Sequence, residues 1–226
     1  MIPILVAHGT RKAEGVAMVG DLAERVGHTL GRHVRTAFVD VLGPSPAEVL
    51  GSVTGTAVVV PAFLAHGYHV RVDIPSFVTA SGHPDVIVTD ALGPSPQMVR
   101  VLTDRLVECG WRVGDSVVMA AAGTSDLGAQ RDLRIAAAML SAAIGDRVEL
   151  AFAATGEPKV ADAVAGLRAR GARRVVVASY LLAEGLFQER LRASGADAVT
   201  APLGLHPGVV RLVASRFRRA RLPIAA

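Results

Sequence analysis

Two histidines in the first half of the chain follow short apolar segments and have glycines close by. His8 follows the apolar segment 4–7 and precedes Gly9, whereas His69 follows the segment 58–64, with Gly67 two positions before it. Imidazole binds first-row transition metals and takes up protons near neutral pH. A pair of histidines could therefore hold a divalent metal or act as a base, and the glycines would let a bulky ligand approach closely.

Two further side chains are candidates for the same site. Asp40 ends a short apolar segment and could bind a metal, or it could only make a hydrogen bond within a local turn. His66 lies three residues before His69 in a segment predicted to be a loop, and spacing alone does not decide between these two histidines. His206 precedes Pro207 and is expected either to cap the last helix or to bind a ligand. The remaining histidines, His28, His33 and His83, are expected at the surface.

The second half of the chain repeats the first half without these side chains. Segment 118–124 matches segment 4–10 at an offset of 114, and segment 175–181 matches segment 58–64 at an offset of 117. The counterparts of His8, Asp40 and His69 are Ala122, Ala154 and either Leu186 or Phe187. Because the apolar strands are kept while the candidate ligands are lost, we predict one reactive half and one supporting half.

Short valine-rich segments alternate with longer amphipathic ones, as is typical of a parallel sheet with crossover helices. Strands are predicted near 2–7, 35–40, 56–62, 85–88, 116–121, 148–153, 173–179 and 197–200. Helices are predicted near 12–30, 45–52, 70–80, 95–109, 127–144, 157–170, 185–194 and 207–219. The fold class is thus α/β, with two flavodoxin-like, four-stranded domains related by duplication. The glycines of segment 109–115 place their boundary between 1–112 and 113–226.

The predicted topology brings the candidate side chains to one place. In open α/β sheets, ligands bind beyond the carboxyl ends of the strands, where the strand order reverses. For the order 2-1-3-4, this crevice lies between the first and third strands. His8 ends the first strand, His69 follows the third and Asp40 ends the second, so we expect all three at one edge of the first sheet.

The amino-acid composition excludes several classes of protein and several kinds of metal site. The chain is 51% hydrophobic and 19% charged, as expected of a globular protein. No apolar segment approaches the roughly 20 residues of a membrane helix, and the first residues do not have the pattern of a signal peptide, so we expect a soluble cytoplasmic protein. The single cysteine, Cys109, leaves nitrogen and oxygen as the metal ligands. An aromatic content of 4% argues against nucleic-acid binding.

These residues together resemble a known family. Segments 6–11, 38–44, 63–75 and 202–207 are similar to the class II tetrapyrrole chelatases and, more narrowly, to the sirohydrochlorin chelatases of the siroheme and cobalamin pathways. The resemblance covers essentially the whole chain, and its most specific element is Gly-x-His-x-x-x-Asp-Ile-Pro at 67–75. It implies that His8 and His69 are the catalytic and metal-binding pair. Asp40, at a position where the family often has glutamate, becomes a third candidate ligand.

The resemblance also implies a reaction and its reactants. The reaction is insertion of Fe²⁺, Co²⁺ or Ni²⁺ into sirohydrochlorin, so the metal is a substrate and no permanent cofactor is expected. The identity of the metal does not follow from two imidazoles. Sirohydrochlorin carries eight carboxylates, which the cations Arg11, Lys12 and Arg71 could bind, with His66 also a candidate substrate contact. The second half is expected to form an apolar wall, and two joined halves are compatible with a monomer.

Two other functions use similar residues. A non-catalytic carrier of metal or tetrapyrrole could use the same histidines. Histidine phosphatases also place a histidine and a glycine after their first strand, but they require an arginine before that histidine, where this chain has Ala7. Phosphoryl transfer is therefore disfavoured.

Overall fold

The computed structural model describes residues 1–10 and 12–220, which form two four-stranded sheets and their helices. The first half contains β1 (Ile2–Ala7), α1 (Ala13–Leu30), β2 (Arg35–Phe38), α2 (Pro46–Gly51), β3 (Ala57–Pro61), a π-helical turn (His69–Asp73), α3 (Ile74–Ser81), β4 (Val86–Val88) and α4 (Pro96–Glu108). The second half contains β5 (Ser116–Gly123), α5 (Leu127–Ile144), β6 (Val148–Thr155), α6 (Val160–Ala169), β7 (Val175–Tyr180), α7 (Leu186–Arg192), β8 (Ala198–Val199) and α8 (Pro207–Arg219). The helix predicted at 70–80 is divided into the π-helical turn and α3.

Strand order and direction are the same in the two sheets. The orders are β2-β1-β3-β4 and β6-β5-β7-β8, and every pair of neighbouring strands is parallel. In the first sheet, Ala7 pairs with Phe38 and Val6 pairs with Pro61. The end of β1 therefore lies between the ends of β2 and β3, and the predicted fold class of two similar α/β domains is confirmed.

The central strands are hydrophobic along their whole length because helices cover them. Ile4, Leu5, Val58, Val59 and Val60 are fully buried. In an all-parallel sheet, crossover helices pack on both faces, so central strands need apolar side chains throughout. Within the part of the chain that the structure describes, no helix is long and apolar enough to cross a membrane.

Two compact units divide the chain differently from the sequence repeat. The first unit combines residues 1–92 with α8, and the second comprises residues 93–206. Arg216 and Arg218 of α8 donate hydrogen bonds to the carbonyl oxygens of Ala91 and Thr29. The last helix of each half thus belongs to the unit built on the other half's sheet, whereas the predicted division was 1–112 and 113–226. An amphipathic helix packs wherever its apolar stripe is buried, and its sequence does not specify which sheet it will cover.

Candidate functional site

His8 stands at the carboxyl end of β1, in a turn that depends on glycine. Gly9 has a φ of +95°, and a Cβ added there would lie 2.1 Å from the carbonyl oxygen of Asp40. The amide of Asp40 donates to the carbonyl oxygen of His8 at 3.0 Å. The backbones after β1 and β2 therefore run so close together that only glycine fits at position 9, and the His8 side chain is left exposed to solvent.

His69 is positioned by the loop after β3. The amide of Ala62 donates to the carbonyl oxygen of Val6 at 2.7 Å, which continues the contact between the strand ends. The amides of Val70 and Arg71 both donate to the carbonyl oxygen of Gly67 at 3.1 Å. These bonds form a tight turn that leads into the π-helical turn beginning at His69. π-Helical turns are rare and often occur at functional sites.

The structure brings the rings of His8 and His69 together. Their centroids are 4.7 Å apart and the ring planes are perpendicular. Phe63 and Tyr68 place their rings 6.0 and 6.4 Å from the His69 ring. Two imidazoles at this separation can act on one ligand, at the edge where the topology predicted them.

Both imidazoles make a hydrogen bond through Nδ1. His8 Nδ1 is 3.0 Å from the carbonyl oxygen of Gly9, and His69 Nδ1 is 2.5 Å from Oδ2 of Asp73. A carbonyl or carboxylate oxygen can only accept, so in each pair Nδ1 carries the proton and donates it. Nε2 of each neutral ring then holds a lone pair, which can bind a metal or accept a proton.

Asp40 is close to His8 through its backbone, but its carboxylate points into its own turn. Oδ1 of Asp40 accepts a hydrogen bond from the amide of Val41 at 2.7 Å, as the local-turn interpretation expects. Val41 has a φ of +70°, a strained conformation for a β-branched residue. Among the residues that the structure describes, no three His, Cys, Asp or Glu side chains form a group that could hold a metal. Only the two histidines of the predicted ligand set are brought together.

The other predicted contacts are close to this pair in the sequence. Lys12 is half-buried before α1, and its amide donates to Oγ1 of Thr10 at 3.2 Å. Arg71 is exposed in the π-helical turn, two residues after His69, and His66 is half-buried in the preceding loop. Arg11 lies outside the described residues.

The remaining histidines lie elsewhere. His28 and His33 are exposed, as expected. His83 is half-exposed, and its Nδ1 accepts a hydrogen bond from the amide of Asp85 at 3.2 Å. His206 is buried in the second unit, where Nε2 lies 3.7 Å from carboxylates of both Asp104 and Glu108 on α4.

Exposed apolar side chains follow the same strand ends, a feature that the sequence pattern did not reveal. Val41 and Leu42 come directly after Asp40 and are 44% and 38% exposed. Tyr68 and Val72 flank His69 and are 58% and 40% exposed. Apolar side chains left in water near polar functional groups often mark a ligand-binding surface. We call Val41, Leu42, Tyr68 and Val72 the apolar rim.

The CbiX family model matches the chain twice, over residues 3–109 and over residues 116–220. The chain belongs to the CbiX family. This confirms the resemblance carried by segment 67–75 and the other motifs.

Relatives of this CbiX-family protein are known in sequence and in structure. The sirohydrochlorin cobaltochelatase of Methanothermobacter thermautotrophicus is 26% identical in an alignment of 126 positions that covers 46% of this chain and 88% of the relative. SirB from Bacillus subtilis with Fe³⁺ is 18% identical, with a TM-score of 0.84 over 97% of this chain and 96% of SirB. CbiX, the terminal enzyme for siroheme biosynthesis in denitrifying bacteria, is 19% identical, with a TM-score of 0.72 over 99% of this chain and 100% of that one. These two structures share the fold.

The second copy of the CbiX repeat keeps the scaffold of the site. Gly123 has a φ of +98°, and a Cβ there would lie 1.7 Å from the carbonyl oxygen of Thr155. The strand registers, in which Val6 pairs with Pro61 and Ala120 pairs with Ser179, place β3 and β7 at an offset of 118. Phe187 rather than Leu186 is therefore the structural counterpart of His69. Ala122 and the exposed Phe187 therefore occupy the positions of the two histidines, and neither can bind a metal.

Proposed function

We propose that this chain inserts a divalent metal, Fe²⁺ or Co²⁺, into sirohydrochlorin, and that the reaction takes place at His8 and His69. The observation that carries the proposal is the pair of adjacent imidazoles, each with Nδ1 engaged in a hydrogen bond. Membership of the CbiX family and the activity named for the relative from Methanothermobacter thermautotrophicus support the choice of substrate. The second half, which has Ala122 and Phe187 at the corresponding positions, is assigned a supporting role.

Two imidazole nitrogens match the protons that the reaction releases. A free-base tetrapyrrole and M²⁺ give the metallated ring and two protons, which come from two pyrrole N–H groups. While the metal is bound to Nε2 of His8 and His69, those nitrogens cannot take up protons. As the metal passes to the ring nitrogens, each lone pair is released and can accept one pyrrole proton, so the same pair of side chains serves as ligand and then as base.

The small number of protein ligands suits a metal that must leave. Stable structural metal sites usually provide four protein ligands. The described residues offer two imidazoles, and the carboxylate of Asp40 is engaged with its own turn. Water and then the tetrapyrrole nitrogens would complete the coordination. We therefore treat the metal as a substrate, while the proposed share of Asp40 in metal handling would require its carboxylate to leave the Val41 amide.

The surroundings of the histidines suit an anionic, flat substrate. The apolar rim offers contacts to the face of a macrocycle, and the rings of Phe63 and Tyr68 lie beside His69. We assign Arg71 and Lys12 to the carboxylates of sirohydrochlorin, together with Arg11 and His66. Arginine suits this role because its guanidinium can bind a carboxylate through two parallel hydrogen bonds.

The proposal is tested by turnover. The purified protein is mixed without oxygen with excess sirohydrochlorin and with Fe²⁺, Co²⁺ or Ni²⁺ in turn, and the visible spectrum is followed. We expect many metallated product molecules per protein chain and rates that rank the three metals. The His8→Ala, His69→Ala double variant should fall to the uncatalysed rate. A wild-type rate no faster than the protein-free control would refute the enzyme assignment.

The same experiment separates an enzyme from a carrier. A carrier with the same histidines would release metal or tetrapyrrole once, so product would stop at about one equivalent per chain. Continued turnover with protein well below the substrate concentration is expected only of a catalyst.

A further inference from the structure

Asp73 makes a short hydrogen bond to one of the two site histidines. Its Oδ2 lies 2.5 Å from Nδ1 of His69, and both side chains are largely shielded, with 27% and 33% of their surfaces exposed. A partly shielded carboxylate holds such a bond more tightly than one in open water. The ring of His69 is therefore fixed in both orientation and tautomer.

The local backbone explains how these two side chains meet. The amide of Ile74 donates to the carbonyl oxygen of His69, which closes the wide turn of a π-helix. Pro75 cannot donate the bond that a regular α-helix would send to the carbonyl of Arg71, so the chain is free to widen before α3. Ile74 itself is fully buried, which anchors Asp73 from the following side.

The usual role of an aspartate at this position is not the one observed. Asp73 directly precedes α3, but its backbone is helical and α3 continues from the π-helical turn, so there is no free helix start for the aspartate to cap. Among the described residues, its side chain makes no such capping bond. The carboxylate faces back to His69 instead, so helix capping does not account for its presence.

The second copy has lost the carboxylate together with the histidine. The strand registers and the backbone bonds to Gly67 and Gly185 align Phe187 with His69 at an offset of 118. At this offset Asp73 corresponds to Leu191, and with one extra residue in the π-helical turn it corresponds to Arg190. Neither counterpart is a carboxylate, so Asp73 is lost where there is no imidazole to orient.

We propose that Asp73 is a positioning residue for metal transfer, and this inference rests on the proposed function of the His8 and His69 pair. Asp73 keeps the proton of His69 on Nδ1, so that Nε2 presents its lone pair to the metal. Metal-binding histidines commonly donate their other N–H to a carboxylate, which fixes the tautomer and the direction of the ring. His8 obtains the same tautomer from the Gly9 carbonyl, but from a neutral partner on its own exposed turn.

Substitution of Asp73 tests this role through Co²⁺ affinity, turnover and the tautomer of His69. Asp73→Ala removes the acceptor, and Asp73→Asn offers an amide that can either accept or donate at Nδ1. We expect each variant to bind Co²⁺ about 10- to 100-fold more weakly and to lose kcat by a similar factor, with KM for sirohydrochlorin nearly unchanged. Asp73→Glu, which keeps an acceptor, should restore part of kcat.

The tautomer is read by NMR of the imidazole nitrogens of ¹⁵N-labelled protein, with the His69 signals assigned by their loss in His69→Ala. Wild type should show the proton on Nδ1, and Asp73→Ala should shift the population towards Nε2. Asp21→Asn, an exposed residue of α1, removes the same charge and should change none of these measurements. Thermal unfolding verifies that each variant is folded.

Two results would overturn the inference. One is an Asp73→Ala variant that keeps both Co²⁺ affinity and kcat within twofold of wild type. The other is a loss of kcat while His69 stays fully protonated on Nδ1, since that would show a purely structural role. If wild type itself shows no turnover, the proposed function fails, yet Co²⁺ affinity and the NMR tautomer still decide whether Asp73 orients His69.

Discussion

His8 and His69 are 61 positions apart in the chain, and their imidazole rings meet edge to face with centroids 4.7 Å apart. The contact depends on β1 and β3 being neighbours, since each histidine follows the carboxyl end of one of these strands. The second sheet repeats the same pairing between β5 and β7. The corresponding positions there are Ala122 and Phe187, so the meeting of two histidines is a property of the first copy.

Removal of either histidine should abolish most metal insertion without unfolding the protein. We expect His8→Ala and His69→Ala each to lower kcat by about 10²- to 10⁴-fold, because each imidazole acts as both ligand and base. His66→Ala should have a mild effect. Initial rates of the spectral change, with circular dichroism to verify folding, provide the measurement. A severe loss in His66→Ala with normal activity in His69→Ala would reverse the assignment.

Alanine should be poorly tolerated at Gly9 and well tolerated at Gly20. At Gly9 the φ of +95° and the Asp40 carbonyl oxygen, 2.1 Å from the added Cβ, both oppose a side chain, so Gly9→Ala should cost more than about 2 kcal/mol of unfolding free energy. Gly20 lies in α1 with no described atom within 4 Å of an added Cβ, and Gly20→Ala should stabilise by about 0.5–1 kcal/mol. Urea unfolding measures the unfolding free energy of both variants. Equal changes in the two would show that the turn at Gly9 does not require a glycine.

A buried polar network in the second unit should contribute strongly to stability. Gln188 is 1% exposed, accepts from Oγ of Ser179 at 2.6 Å and donates to the carbonyl oxygen of Thr200 at 2.8 Å. Gln188→Met leaves both partners buried without a bond, which should cost about 2–4 kcal/mol. Gln97→Met on the exposed face of α4 is the matched control and should stay within about 0.5 kcal/mol. A Gln188→Met variant as stable as the control would show that water replaces the lost bonds.

Stability should decline in acid partly through Asp197. The hydrogen bond from the Val175 amide, followed by the contact with Arg168, lowers the pKa of Asp197 below its ordinary value of 3.8. A carboxyl whose pKa is lower in the folded state stabilises the fold above its unfolded pKa, and this contribution is lost as pH falls through the folded value. Asp197→Asn should therefore flatten the dependence of unfolding free energy on pH below about 4. Asp21→Asn controls for the loss of one charge, and an unchanged slope in Asp197→Asn would contradict the role.

The order of the strands could be predicted because its signals are local. A parallel strand buried on both faces must be apolar throughout, and amphipathic segments between such strands predict crossover helices. The repeat made the prediction stronger, since one pattern had to account for both halves. Ser45 and Glu48 illustrate how local such signals are, because they form the capping box that starts α2 within four residues of sequence.

The role of Asp73 could not be predicted with the same certainty. Its spacing of four from His69 is compatible with contact in a helix, but only the widened turn shows that the carboxylate faces the imidazole. For Asp40, in contrast, the sequence predicted a place in the site, and its side chain points elsewhere. Sequence and topology placed it at the right edge, but its carboxylate bonds to the adjacent Val41 amide. Side-chain direction depends on a few backbone angles that residue types do not determine.

The sequence by itself determined the α/β class, the duplication and the pairing of His8 with His69, because burial of apolar strands and parallel order follow from patterns of neighbouring residues. Only the tertiary structure decided that α4 and α8 each pack in the unit of the other half's sheet, and that Nδ1 of both histidines is held while Nε2 keeps its lone pair. The reason is physical: helix packing and hydrogen-bond partners depend on contacts between distant segments, which local patterns leave open.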